Sequence, residues 1–305
     1  MARRKKVAKV ADAARVEAVD DAESDSDVRK SSRMFVGGAF TRSESGRSYT
    51  PSGAPRTNVP RGSRNDVREA VGASRAALPG WSGRSAVQRG QILHRFAEML
   101  QAHRATLAAD VERGGGMRPD AQVDAAIDLV VWYAGLADKL QALLGSHDAV
   151  AVPFQVVSVV EPVGVVGIVA PDRPSLLGLC ALLLPVIAAG NAAVVCVSET
   201  HPLAGLALGE RLAVGDVPAG VVNLVSGLRA ELVPALLAHR DVDGVLLGVP
   251  AIHGTATDTA AAADSVKRVR RVDLDAKGWR AHRPSLAFVE PFVEVKAIWQ
   301  PTGIE

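Results

Sequence analysis

A chain of 305 residues has room for one large or two modest domains. It is 48% hydrophobic but only 4% aromatic, so its core must be built from Val, Leu, Ile and Ala, which suits α/β layers better than a small β-sandwich. The net charge of +2 offers no global field for nucleic acid or an acidic partner, and two cysteines, Cys180 and Cys196, cannot form a disulfide framework.

Residues 1–30 stand apart. Basic residues crowd the start (Arg3, Arg4, Lys5, Lys6, Lys9), and acids dominate from Asp12 to Asp27. Aromatics are missing and large aliphatics are few, so a disordered tail is expected. Val7, Val10 and Ala14 would also share one face of a short docking helix. The basic cluster lacks the interleaved aromatics of a nucleic-acid site, and no nucleic-acid partner is expected. No apolar segment follows the basic start, which reads as no secretory signal and a cytoplasmic protein.

The globular pattern begins at Met34. Met34–Phe40 reads as a strand and tight turn. Asn65 or Asp66 caps a helix that runs to Leu78 and ends at Pro79-Gly80. Ser85–Asp110 and Asp120–Leu144 carry apolar residues at helical spacing, separated by Gly114-Gly115-Gly116. Ala149–Val160 is β-prone and uncharged, and Pro153 marks it as an edge or irregular strand in need of a cover.

Between Arg173 and Glu199 there is no charged side chain. A membrane span needs about 20 apolar residues in one helix. Strand Val163–Ala170, helix Leu176–Ala189 with its stop at Gly190-Asn191, and strand Ala192–Val197 account for the same stretch as a buried βαβ unit. No membrane association is expected on that basis. Helix Pro202–Ala213, strand Gly220–Val225, helix Ala230–Ala238 and strand Asp243–Gly248 continue the alternation, which implies a doubly wound, Rossmann-like parallel sheet in an α/β fold. Thr255–Ala263 reads as a degraded helix or a loop, Lys267–Arg271 as a solvated basic segment or partner contact, and Ser285–Trp299 as a strand interrupted by Pro291. The seven histidines show no ligand spacing, and no metal is expected.

Several ordered motifs resemble the aldehyde dehydrogenase superfamily. Glu161–Pro171 resembles the strand that opens its cofactor domain, and Ala188-Ala189-Gly190-Asn191 with Ser198-Glu199 resembles the next unit. Pro218–Gly227 and His239–Asp243 with Gly248 resemble the third and fourth, and Phe35–Gly38 and Gly80-Trp81-Ser82 are also similar. The resemblance runs from about Phe35 to about Gly248. It implies that Glu199, Gly227 and Gly248 occupy cofactor-binding positions, with Glu199 facing the adenosine ribose.

The departures from that pattern are chemical. Where the family has Pro-Trp-Asn, with an amide for the oxyanion, this chain has Pro171-Asp172-Arg173. Arg173 fills the cofactor groove, pairs with Asp172, or points to solvent. The family's Lys-Pro-Ser-Glu is here Cys196-Val197-Ser198-Glu199, without the Lys, and the Gly-Ser at the pyrophosphate is Gly248-Val249-Pro250. The general-base Glu has its nearest match in Asp273-Leu274-Asp275-Ala276-Lys277. The nucleophilic Cys belongs to a catalytic domain for which there is no room between Lys277 and Phe288, and Cys180 and Cys196 lie in apolar runs as small buried hydrophobes. No catalytic residue is therefore assigned.

The chain thus resembles a truncated, degenerate member of the family. Residues 1–30 form the tail, 31–148 and 162–278 a Rossmann-like cofactor-type domain, and 149–161 and 284–305 a small oligomerisation β-sheet. The resemblance implies a non-catalytic subunit that joins a full-length NAD(P)-dependent aldehyde dehydrogenase through residues 149–161 and 288–299. No resident cofactor is expected, NAD(P) being the candidate if one binds. The alternative is an NAD(P)-dependent aldehyde oxidoreductase with an atypical site.

Overall fold

The computed structural model describes residues 30–151, 153–248, 260–272 and 274–302. The N-terminal tail up to residue 29, residues 255–259 of the Ala- and Thr-rich segment, and Asp273 lie outside the described residues.

A seven-stranded sheet organises the chain. Its parallel part holds β8 (Val165–Val169), β9 (Ala192–Cys196), β10 (Val222–Val225), β11 (Gly244–Leu247) and β12 (Arg268–Arg271). The hairpin β2 (Met34–Val36) and β3 (Ala39–Thr41) adds antiparallel to β10, giving the order β12-β11-β8-β9-β10-β2-β3. The chain builds outward from β8 to β10, then returns to the other side of β8 for β11, so the strand order reverses between β8 and β11. This is the expected doubly wound α/β architecture.

Alternation along each strand feeds two cores. Val165, Val169, Val194, Cys196, Val245 and Leu247 face α1 (Arg64–Ser82) and α8 (Arg229–Ala238). Val166, Ile168, Ala193, Val195 and Leu246 face the opposite layer of α2 (Ala86–Ala102), α4 (Pro119–Leu136), α6 (Ser175–Ala188) and α7 (Leu203–Val214). Burial on both faces explains why these strands read as continuous apolar runs. Glu161–Glu199 is strand, helix and strand, and no helix among the described residues is long and apolar enough to cross a membrane.

The end of α6 is a local sequence effect. Gly190 takes φ 97°, its N–H bonds to Ile187 O, and the Asn191 N–H bonds to Val186 O, a Schellman motif. Asn191 then ties three segments together. Its Oδ1 accepts the Gly164 N–H (3.0 Å), and its Nδ2 donates to Val186 O (3.0 Å) and Phe292 O (2.9 Å).

Several boundaries differ from the sequence expectation. Ser63, not Asn65 or Asp66, caps α1, and Asp66 closes the capping box from the third position. The helix passes through Pro79 to Ser82 because Trp81 is fully buried and its Nε1–H reaches Ile187 O at 3.1 Å. The helix expected over Ser85–Asp110 divides at His103, which leaves helical geometry (φ −107°, ψ 20°) before α3 (Arg104–Arg113). Likewise Asp120–Leu144 becomes α4, a tight turn and α5 (Leu140–Leu144).

A second sheet has the order β13-β7-β6, with β6 Ser146–Asp148, β7 Phe154–Pro162 and β13 Val293–Pro301. Pro153 precedes β7, which is the central strand rather than an edge. β6 also carries this sheet into residues 146–148, ahead of the 149 boundary. Two short turns over Leu286–Phe288 and Glu290–Phe292 replace the first half of the strand expected over Ser285–Trp299. Of the basic run Lys267–Arg271, read as a solvated segment or partner contact, residues 268–270 are exposed, and 268–271 form β12, which pairs with β11 as the charged edge strand of the main sheet. A third small sheet, β1 (Lys30–Ser31), β5 (Thr57–Pro60) and β4 (Ser48–Tyr49), had no counterpart in the sequence reading.

Candidate functional site

In an open parallel sheet the ligand crevice lies beyond the carboxyl ends of the strands, where their order reverses. Here that edge carries Ala170–Arg173 after β8, Ser198–His201 after β9, Ser226–Arg229 after β10 and Gly248 after β11.

The edge is stitched together by side chains. The Arg229 guanidinium grips the Asp172 carboxylate with two bonds, Nη1 to Oδ2 at 2.6 Å and Nη2 to Oδ1 at 2.8 Å, and Nη2 also reaches Ala170 O at 2.9 Å. Asp172 accepts further bonds from Ser198 Oγ (2.8 Å) and the Thr200 N–H (3.2 Å). Burial alone would raise the Asp172 carboxyl, but Arg229, Ser198 and Thr200 together hold it at about 2. Glu199 Oε2 accepts the Arg229 N–H at 2.8 Å, which satisfies a free donor at the start of α8. The Tyr49 hydroxyl donates to Glu199 O (3.1 Å), and Gly53 N–H to Thr200 O (2.9 Å), so the loop after β4 lies against the β9 exit.

Arg173 does not pair with Asp172. Its Nη2 and Nε lie 3.0 and 3.2 Å from His201 Nε2. A guanidinium only donates, so Nε2 accepts and the imidazole proton sits on Nδ1, facing Thr200 Oγ1 at 2.6 Å. Burial, then Arg173, lowers the His201 pKa, against the pull of Asp172, and keeps the ring neutral near pH 7.

The residues assigned to cofactor binding are spread along this edge. Glu199 caps α8. Gly227 is packed against the link between β5 and α1, where an added Cβ would stand 3.0 Å from Gly62 N. Gly248 lies against β8, where a Cβ would meet Leu182 Cδ1 at 2.4 Å and Val169 O at 3.0 Å. The segment after Gly248 lies outside the described residues. Cys180 and Cys196 are buried in the two cores, and burial pushes both thiols up to about 12, far from a reactive thiolate. A cleft of about 190 Å³ beside the start of α6, lined by Met117, Arg118, Ala125, Arg173 and Leu177 among others, is reached by neither cysteine.

Arg229, Tyr49 and His201 were missed by sequence reasoning. Arg229 did carry a signal: a cation at the first position of a helix opposes the macrodipole, and such a placement calls for a nearby carboxylate. Two carboxylates, Asp172 and Glu199, supply it. Because its folded pKa lies below the ordinary 3.8, Asp172 contributes stability that is present above about pH 4 and lost as pH falls through about 2. Asp172→Asn is expected to cost about 2 kcal/mol at pH 7, after allowing for partial exposure of the carboxylate. Urea unfolding at pH 7 and at lower pH should show the difference from wild type narrowing towards pH 3.

Comparison with known proteins gives a consistent picture. Residues 40–276 match the family model described as "Aldehyde dehydrogenase family". The chain is 33% identical over 223 residues to "Aldehyde dehydrogenase family 2 member B4, mitochondrial" of Arabidopsis thaliana, covering 69% of this chain and 40% of that protein. It is 30% identical over 252 or 253 residues to mouse and human "Retinaldehyde dehydrogenase 3", covering 79% of this chain and 48% of those proteins. Its structure is similar to the NAD+ complex of an aldehyde dehydrogenase from Bacillus cereus, with TM-score 0.74 and 25% identity over 79% of this chain and 50% of that one. The chain thus spans about half the length of the proteins it matches.

Proposed function

This chain belongs to the aldehyde dehydrogenase family, and from that premise we propose that it is a non-catalytic, pseudoenzyme subunit that assembles with a full-length NAD(P)-dependent aldehyde dehydrogenase. The observation that carries this is the sheet β13-β7-β6. Among the described residues, β13 is an edge strand of nine residues paired only with β7, from Val293↔Pro162 to Pro301↔Phe154. Apolar side chains stand exposed on both of its faces. Val295 (57%) and Trp299 (58%) lie on one, Trp299 edge-on to Phe154, and Ile298 (41%) lies on the other. A strand that exposes Val295 and Trp299 on one face and Ile298 among polar residues on the other is suited to addition onto a partner's sheet.

The chemistry is then assigned to the partner. Only residues 272–292 separate β12 from β13, and they include α9 (Ala276–Ala281) and two short turns, leaving no space for a further domain there. Thiol catalysis needs an activated thiolate, and both thiols here are buried and raised. The alternative, an NAD(P)-dependent aldehyde oxidoreductase with an atypical site, is favoured by the likeness to a structure solved with NAD+. It must find its nucleophile elsewhere than in Cys180 or Cys196.

Affinity purification of the full chain from its native host tests the assembly. Recovery with an identified full-length aldehyde dehydrogenase, in a fixed ratio on size-exclusion chromatography, is expected. Recovery as a stable monomer would sink the proposal.

A further inference from the structure

We propose that the dinucleotide crevice of this chain is sealed from within by Arg229 latched onto Asp172, so that the chain does not take NAD(P). In a doubly wound sheet the pyrophosphate of a dinucleotide needs free N–H groups at a helix N-terminus and room above the strand ends where the order reverses. At the exits of β8, β9 and β10, groups of the chain itself take up that space and the first of those donors. The Arg229 side chain crosses from the start of α8 to the end of β8 and is bonded to both Asp172 and Ala170 O. The N–H at the start of α8 is already taken by Glu199.

The charges point the same way. Asp172, where the family pattern has a neutral Trp, adds a carboxylate to an edge to which a pyrophosphate would bring further negative charge. Asp172 stays ionised throughout the physiological range, since its carboxyl is held at about 2. Arg229 would welcome a phosphate, but its two Nη atoms are spent on Asp172, and the Arg173 guanidinium is bonded to His201. Tyr49 and Gly53, bonded to Glu199 O and Thr200 O, close the β9 side of the same edge. The described residues at the β8, β9 and β10 exits do not fit a dinucleotide.

This goes beyond the assembly proposed above and is independent of it, since the latch lies on the main sheet and the docking strand on the other. Calorimetric titration of the full chain with NAD+ and with NADP+ tests it, alongside two variants checked for folding by near-UV circular dichroism. Asp172→Asn removes the repelling charge and frees Arg229 for a phosphate. The double variant Asp172→Ala/Arg229→Ala removes both halves of the latch without stranding a charge. The wild type is expected to show no saturable binding at about 1 mM, the weak limit of useful affinity, and at least one folded variant to bind at least tenfold below that limit. Saturable binding by the wild type would overturn the proposal. So would failure of both variants to gain binding, since the latch would then not be what excludes the cofactor.

Discussion

Asn191→Ala is expected to destabilise the chain by about 3–5 kcal/mol, lowering its melting temperature by roughly 10 °C. The side chain is fully buried and makes three bonds to backbone groups from three segments: the loop before β8, the end of α6 and the lead into β13. Two of the backbone partners keep a bond without it, Val186 O from the Asn191 N–H and Phe292 O from the Val163 N–H. The Gly164 N–H is left with no replacement at its position, and a buried donor without a partner costs about 1–3 kcal/mol. Loss of the other two bonds and the cavity left by the amide add the remainder. Differential scanning calorimetry measures the shift. A change below about 2 °C would mean that these segments are held together without Asn191. The Phe292 bond sets where β13 begins, so the variant should also weaken assembly at temperatures where it remains folded.

The sheet could be read from the sequence because its strands are buried on both faces. Val165–Val169, Ala192–Cys196 and Gly244–Leu247 leave no ambiguity of face, and glycine punctuates the chain between them. Where the reading failed, tertiary contacts overrode local signals. Pro79-Gly80 is a stop signal, yet burial of Trp81 against α6 carries α1 past it. The charged run Lys267–Arg271 gave no sign of a strand, yet an edge strand hydrogen-bonds on one side and tolerates exposed charge. The scaffold of the candidate site was legible as family motifs, and the exchanged residues Asp172 and Arg173 marked the place of change. Their partners were not legible. Asp172 and Arg229 are far apart in sequence, and pairing depends on which strand exits lie side by side. Arg173 goes to His201 for the same reason: the β8 and β9 exits are neighbours in the sheet.

The combined substitution Ile298→Lys and Trp299→Glu is expected to weaken association with the partner dehydrogenase about a thousandfold while leaving the fold intact. Both side chains project from β13 into solvent, on opposite faces of the strand, so together they replace the exposed apolar anchor on each face with a charge. Truncating a central aromatic or large aliphatic anchor at an interface typically costs 2 kcal/mol or more, and placing a charge there adds desolvation to the loss. Two such changes reach about 4 kcal/mol, or three powers of ten in Kd. Within the isolated chain the loss is small. Trp299 gives up its edge-on contact with Phe154, worth about 0.5–1.5 kcal/mol, and Ile298 gives up little more. The melting temperature should therefore stay within roughly 3 °C of wild type. Val214→Lys changes an exposed apolar residue at the end of α7, away from this sheet, and should leave assembly untouched. Quantitative pull-down of the identified dehydrogenase by wild type and the two variants separates the cases. Undiminished recovery with the β13 variant would show that the exposed strand is not the docking element, whereas loss with both variants would point to general surface stickiness rather than strand addition.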